Sequence, residues 1–74
     1  MKEAIRDLDV VALLVDLAEE GLPAGQTGTV VLTHDNGEAF EVEFIVAPHK
    51  SVVATLRHDQ LLKLKGVDYP AQAV

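Results

Sequence analysis

Three histidines, one serine and a dense set of carboxylates are the residues of this 74-residue chain whose types could do chemistry. His34-Asp35 and His58-Asp59 invite a histidine–carboxylate reading, with His49 as a further metal donor. Adjacent residues on a strand point to opposite faces, so a His-Asp dipeptide does not in itself pair an imidazole with a carboxylate. A zinc site needs three or four convergent ligands at spacings such as His-x-x-x-His, and no such spacing occurs. There is no Cys to supply a thiolate. The histidines therefore read as turn residues in contact with water. Ser51 is the only serine and stands in no Gly-x-Ser-x-Gly elbow. Glu41 and Glu43 fall on the solvent side of a strand pattern, whereas general acid/base work needs a pocket that raises one carboxyl pKa. Gly21, Gly25 and Gly28 are followed by no Gly-Lys-Ser/Thr and read as turn glycines. The expectation is a protein that is not an enzyme and uses no metal or cofactor.

Charge narrows the partners. Residues 1–48 carry Lys2 and Arg6 against ten acids, a balance of −8, and residues 49–74 carry Lys50, Arg57, Lys63 and Lys65 against Asp59 and Asp68, a balance of +2. An acidic body repels phosphate backbones and anionic lipid, so nucleic acid binding would rest on those four cations. Aromatic stacking platforms are equally scarce: Phe40 and Phe44 are needed inside, and Tyr69 stands in a C-terminal tail expected to be mobile.

The elements that must position these residues are short. An apolar content of 49% and a mean hydropathy of +0.20 belong to a folding chain, and the length allows a single domain. The longest apolar run, Val10 to Val15, is six residues, against about 20 for a membrane span. Met1 to Asp7 alternates charges where a secretory signal would be apolar. Turn signals recur at Gly21-Leu-Pro-Ala-Gly25, Asp35-Asn-Gly37 and Ala47-Pro-His-Lys50, a spacing that predicts a small all-β fold.

Phe40 to Val46 alternates at period two, with Phe40, Val42, Phe44 and Val46 inward. Ser51 to Arg57 repeats the pattern, Thr27 to Thr33 is rich in β-branched residues, and a short last strand spans Leu62 to Lys65 after a turn at His58-Asp-Gln60. Ala4 to Ala18 also fits helical spacing, but the three valines between Val10 and Val15 favour a strand from Asp9 to Asp16, buried on both sides.

Matching the faces of paired strands gives registers. A five-residue loop from Ala47 to Ser51 sets Phe44 opposite Ala54, Glu43 opposite Thr55 and Ile45 opposite Val53. At Asn36-Gly37 two registers compete. A two-residue loop pairs Thr33 with Phe40 and Val31 with Val42, and a three-residue loop pairs Leu32 with Phe40 and Val30 with Val42.

The segments Asp9-Val-Val-Ala-Leu-Leu-Val-Asp16, Gly21-Leu-Pro-Ala-Gly25 with Thr27-Gly-Thr-Val-Val31, Gly37-Glu-Ala-Phe-Glu-Val-Glu-Phe44 and Thr55-Leu-Arg-His-Asp-Gln-Leu61 resemble a family of short bacterial proteins known as domain of unknown function 4926. The resemblance covers about residues 8–64. It implies an all-β fold, a small five-stranded SH3-like (KOW-like) barrel with a short 3-10 turn before the last strand and the first loop in the place of an RT loop. It implies no established activity and assigns no catalytic residue. Family members carry a Gly-containing turn where this chain has Ala47-Pro-His-Lys50, and are polar where Leu32 stands, which favours the two-residue loop with Leu32 outward.

These readings divide the chain into an N-terminal extension (residues 1–8), the barrel (9–65) and a tail (66–74). They point to a cytoplasmic module that binds a protein or itself, as a homodimer, with no membrane and no small-molecule substrate; a nucleic-acid-associated accessory domain using the C-terminal basic residues is the alternative. The candidate partner-binding residues are Leu32, Ile45 and Val53, an apolar outer ridge, with Glu43 and Thr55 beside them.

Overall fold

The computed structural model describes residues 4–65; the tail (66–74), with Tyr69, lies outside the described residues. Five strands form one antiparallel sheet: β1 (Val10–Leu13), β2 (Thr27–His34), β3 (Ala39–Ala47), β4 (Lys50–Arg57) and β5 (Leu61–Lys63), with 3-10 turns at Ala18–Glu20, Asp35–Gly37 and His58–Gln60. Their order, β4-β3-β2-β1-β5, is a meander whose last strand returns to pair with the first. This is the all-β, open barrel-like arrangement expected of an SH3-like chain, with β4 and β5 as its two edges.

Alternation builds the core. Phe40, Val42 and Phe44 on β3 are buried, as are Val11 and Leu13 on β1, Val30 on β2, Leu56 on β4 and Leu61 on β5, with Leu22 plugging the β1–β2 loop. Ile5, Leu17, Val52 and Ala54 pack against them. Gly28 is a mid-strand residue opposite Val11, not a turn glycine. A Cβ there would lie 2.7 Å from Phe44 Cδ1 and 2.8 Å from both the Glu43 carbonyl oxygen and Val42 Cγ1. The glycine is required because Phe44 from the neighbouring strand occupies the space a side chain would take.

β1 is a strand, though shorter than Asp9 to Asp16. Its partners set the limits: Leu14 N–H still donates to the Gln60 carbonyl at 2.9 Å, after which the chain leaves to close the loop through the Gly25 N–H to Leu13 O bond at 2.7 Å. Only one face of it is buried. Val10 and Ala12 are half-buried, and Leu14 and Val15 are exposed, against the expectation of two-sided burial.

Both registers foreseen for the β2–β3 hairpin occur, each in its own half. Near the turn His34 faces Ala39 and Thr33 faces Phe40, whereas beyond it Val30 faces Val42 and Thr29 faces Glu43. A bulge at Val31 joins the two, adding one residue on β2 and keeping Val30 in the core while Val31 and Leu32 both turn outward opposite Glu41. Asn36 (φ 55°) and Gly37 (φ 94°) supply the two successive left-handed residues of a type I′ turn.

The β3–β4 register corrects the face-matching argument. Phe44 pairs with Val52 and not Ala54, Glu43 with Val53 and not Thr55, and Ile45 with Ser51 and not Val53. The loop is Pro48-His49 between paired Ala47 and Lys50, two residues where five were expected. Proline fixes φ negative at the first turn position and His49 takes φ 64°, the type II pattern. That turn mismatches the twist of a hairpin, and the bulge between Ile45 and Ala47 takes up the difference. Val46, expected inward, is turned out by it and is 40% exposed. At the last turn Gln60 Oε1 accepts the Arg57 N–H at 2.8 Å, and the strand that follows starts one residue earlier than expected, at Leu61.

Candidate interaction surface

Every residue that alternates away from the core on β2, β3 and β4 contributes to one outer face. Reading across the strands, His34, Ala39 and Arg57 make one row; Leu32, Glu41 and Thr55 the next; Thr29, Glu43 and Val53 the third; Ile45 and Ser51 the last. The predicted partner-binding residues all reach this face, with Ile45 69% and Val53 51% exposed. They do not form the continuous apolar ridge that the five-residue loop implied. Ile45 and Val53 are diagonal neighbours, and the carboxylates of Glu41 and Glu43 on the central strand separate Leu32 from Val53. The surface is amphipathic: Leu32 and Val53 on the two flanking strands and Ile45 towards the end of the central one surround the acids Glu41 and Glu43.

The histidine–carboxylate pair that the dipeptides could not make is made across strands. His34 Nε2 lies 2.8 Å from Glu41 Oε2, both about one-third exposed. No sequence spacing signals this contact, because it depends on the register at the turn, which sets His34 diagonal to Glu41. Ser51 gains nothing from it. It sits in the row of Ile45, six residues along β4 from Arg57 in the row of His34, a separation of about 20 Å at 3.3 Å per residue. Among the described residues no three of His, Asp and Glu converge to hold a metal ion, and no helix is long and apolar enough to cross a membrane.

The cations are dispersed. Arg57 Nε donates to Asp59 Oδ1 at 3.2 Å at one end of β4, Lys50 stands at the other end, and Lys63 Nζ on the far edge meets Asp9 Oδ2 and the Ala4 carbonyl, each at 3.3 Å. The exposed Arg57–Asp59 pair contributes about 0–1 kcal/mol, so it orients its side chains more than it holds the fold.

A second outer field escaped the sequence reading. On β1 and β5 the residues facing away from the core are Val10 with Leu64, Ala12 opposite Leu62, and Leu14 beside Gln60, a nearly unbroken apolar stripe in which Leu14 and Leu62 are 46% and 45% exposed. Its signal was the lack of alternation from Val10 to Val15, read as burial on both sides. On β2, Thr27 and Thr29 lie between the stripe and the acidic face.

The fold and this surface define a small all-β, open barrel-like sheet with an amphipathic outer face. The chain belongs to the family described as Domain of unknown function (DUF4926), which it matches over residues 7–63. No curated protein and no solved structure matches it.

Proposed function

We propose that this protein is a non-enzymatic binding module whose β2–β4 outer face takes up another protein. The observation that supports this is the pattern on that face: exposed Leu32, Val53 and Ile45 set around the carboxylates of Glu41 and Glu43. Such a surface fits a partner that offers apolar side chains with cations between them, since apolar contacts supply area and opposite charges set the register. It fits a second copy of itself poorly, because two such faces would bring four carboxylates together. The scattered cations and the acidic balance weigh against a nucleic acid partner.

The test compares the wild-type chain with Glu41→Lys/Glu43→Lys and with Val53→Glu in cross-linking and pull-down from the native cell, alongside titration with mixed-sequence DNA and RNA. One specific protein lost by both variants is the expected result. Submicromolar nucleic acid binding at about 0.15 M salt that weakens on substituting Lys63 and Lys65 would overturn the reading.

A further inference from the structure

We infer that the apolar stripe on the outer face of β1 and β5 is a self-association surface, and that its occupant is the same stripe of a second copy. The stripe is a different surface from the one that binds another protein in the reading above.

The first argument is composition. Outward from β1 and β5 stand Val10, Ala12, Leu14, Leu62 and Leu64, and no charge interrupts them. β3, two strands away, alternates Glu41 and Glu43 into the equivalent positions. A contiguous apolar field on so small a domain marks a contact surface.

The second argument is charge complementarity between the two ends of the stripe. Around the Val10/Leu64 end are Arg6 and Lys65 against Asp7, a balance of +1, while Lys63 and Asp9 pair with each other on the core-facing side. Around the Leu14 end, beside Gln60, are Asp16, Glu19, Glu20 and Asp59 against Arg57, a balance of −3. Two copies packed face to face about a twofold axis that lies in the interface and runs across the strands meet with their ends reversed. Leu62 and Ala12 then touch their own counterparts, Val10 covers Leu14 of the second copy, and the end bearing Lys65 covers the end bearing Asp16. The contact is isologous and closes as a dimer.

The area sets the strength. A field two strands wide and about five residues long measures roughly 10 by 16 Å, well below the ~800 Å² that each partner gives a standard interface, so the dimer is weak and transient.

Sedimentation of the full chain from low micromolar concentration to about 0.5 mM tests this, with circular dichroism confirming the fold of each variant. The expected result is a concentration-dependent dimer whose Kd rises at least about tenfold in Leu62→Glu. Leu14→Lys, at the other exposed position of the stripe, serves should the first variant not fold. Lys65→Glu and Asp16→Lys each weaken the dimer about twofold to fivefold, and the two together restore it. Ile45→Lys/Val53→Glu leaves it intact, which separates this surface from the acidic face. A monomer throughout the range, a dimer indifferent to Leu62→Glu and Leu14→Lys, or charge reversals that do not rescue each other would overturn the inference.

Discussion

The two outer fields of the sheet differ although both are made by strands with one face in the core. On β3 the sequence alternates strictly, Phe40 and Val42 inward against Glu41 and Glu43 outward, and the outer side is polar along its centre. On β1 the run Val-Val-Ala-Leu does not alternate, yet only Val11 and Leu13 are buried, so its second side remains apolar and half-covered. An apolar run in a short strand therefore does not require that its own chain bury both sides. Where the chain cannot, the remaining side is free for another molecule.

The seam between these fields is β2, and the largest expected effect lies there. Gly28→Val should abolish folding, because side-chain atoms would have to enter space held by Phe44 and the β3 backbone. Overpacking of a core costs about 1–3 kcal/mol even where the neighbours can shift, and a domain of this size has little stability to lose. A cooperative thermal transition retained in Gly28→Val would show that Phe44 can vacate the seam.

Leu61→Ala removes a fully buried side chain from β5 and should cost about 2–5 kcal/mol in urea unfolding. In a variant that still folds, the amides of β1 and β5 should exchange with solvent before those of β3 and β4. The reverse order would mean that the β1/β5 half is not the weaker one. The register of the acidic face can be tested covalently. Glu43→Cys with Val53→Cys should form a disulfide contributing at most about 3 kcal/mol, whereas Glu43→Cys with Thr55→Cys, a diagonal pair, should stay reduced.

Smaller effects separate strain from surface. His49→Gly relieves a left-handed φ in an exposed turn and should add about 0.5–1 kcal/mol, a rise of a few degrees in Tm. Ile45→Ser, at the most exposed large apolar side chain of the acidic face, should change stability by no more than about 0.5 kcal/mol by the same measurement. A larger loss there would mean that Ile45 is held by neighbours and is not available to a partner.

Most strand positions and inward faces followed from sequence, the outer side of β1 and the outward turn of Val46 excepted, because they depend on local quantities, namely alternation, β-branched residues and turn chemistry. Phe40, Val42 and Phe44 point inward, Asn36-Gly37 turns the chain, and His58–Gln60 forms the 3-10 turn before the last strand. Registers did not follow in the same way. Matching faces is blind to shifts of two residues, so setting Glu43 opposite Thr55 or opposite Val53 satisfies the alternation equally. The type II turn at Pro48-His49, with its bulge, makes the choice. The bulge at Val31 likewise let two competing registers both be correct, which no single pairing rule provides. Two further outcomes were decided by neighbours distant in sequence. The role of Gly28 depends on where Phe44 lands from another strand, and the His34–Glu41 contact on how two strands align. Sequence determined most of which residues are strand, turn and core, because those preferences act within a few residues; Gly28 and Val46 escaped it because a neighbouring strand and a bulge placed them. Tertiary structure decided which side chains meet, because a register is a sum over the whole hairpin and one extra residue changes every pair beyond it.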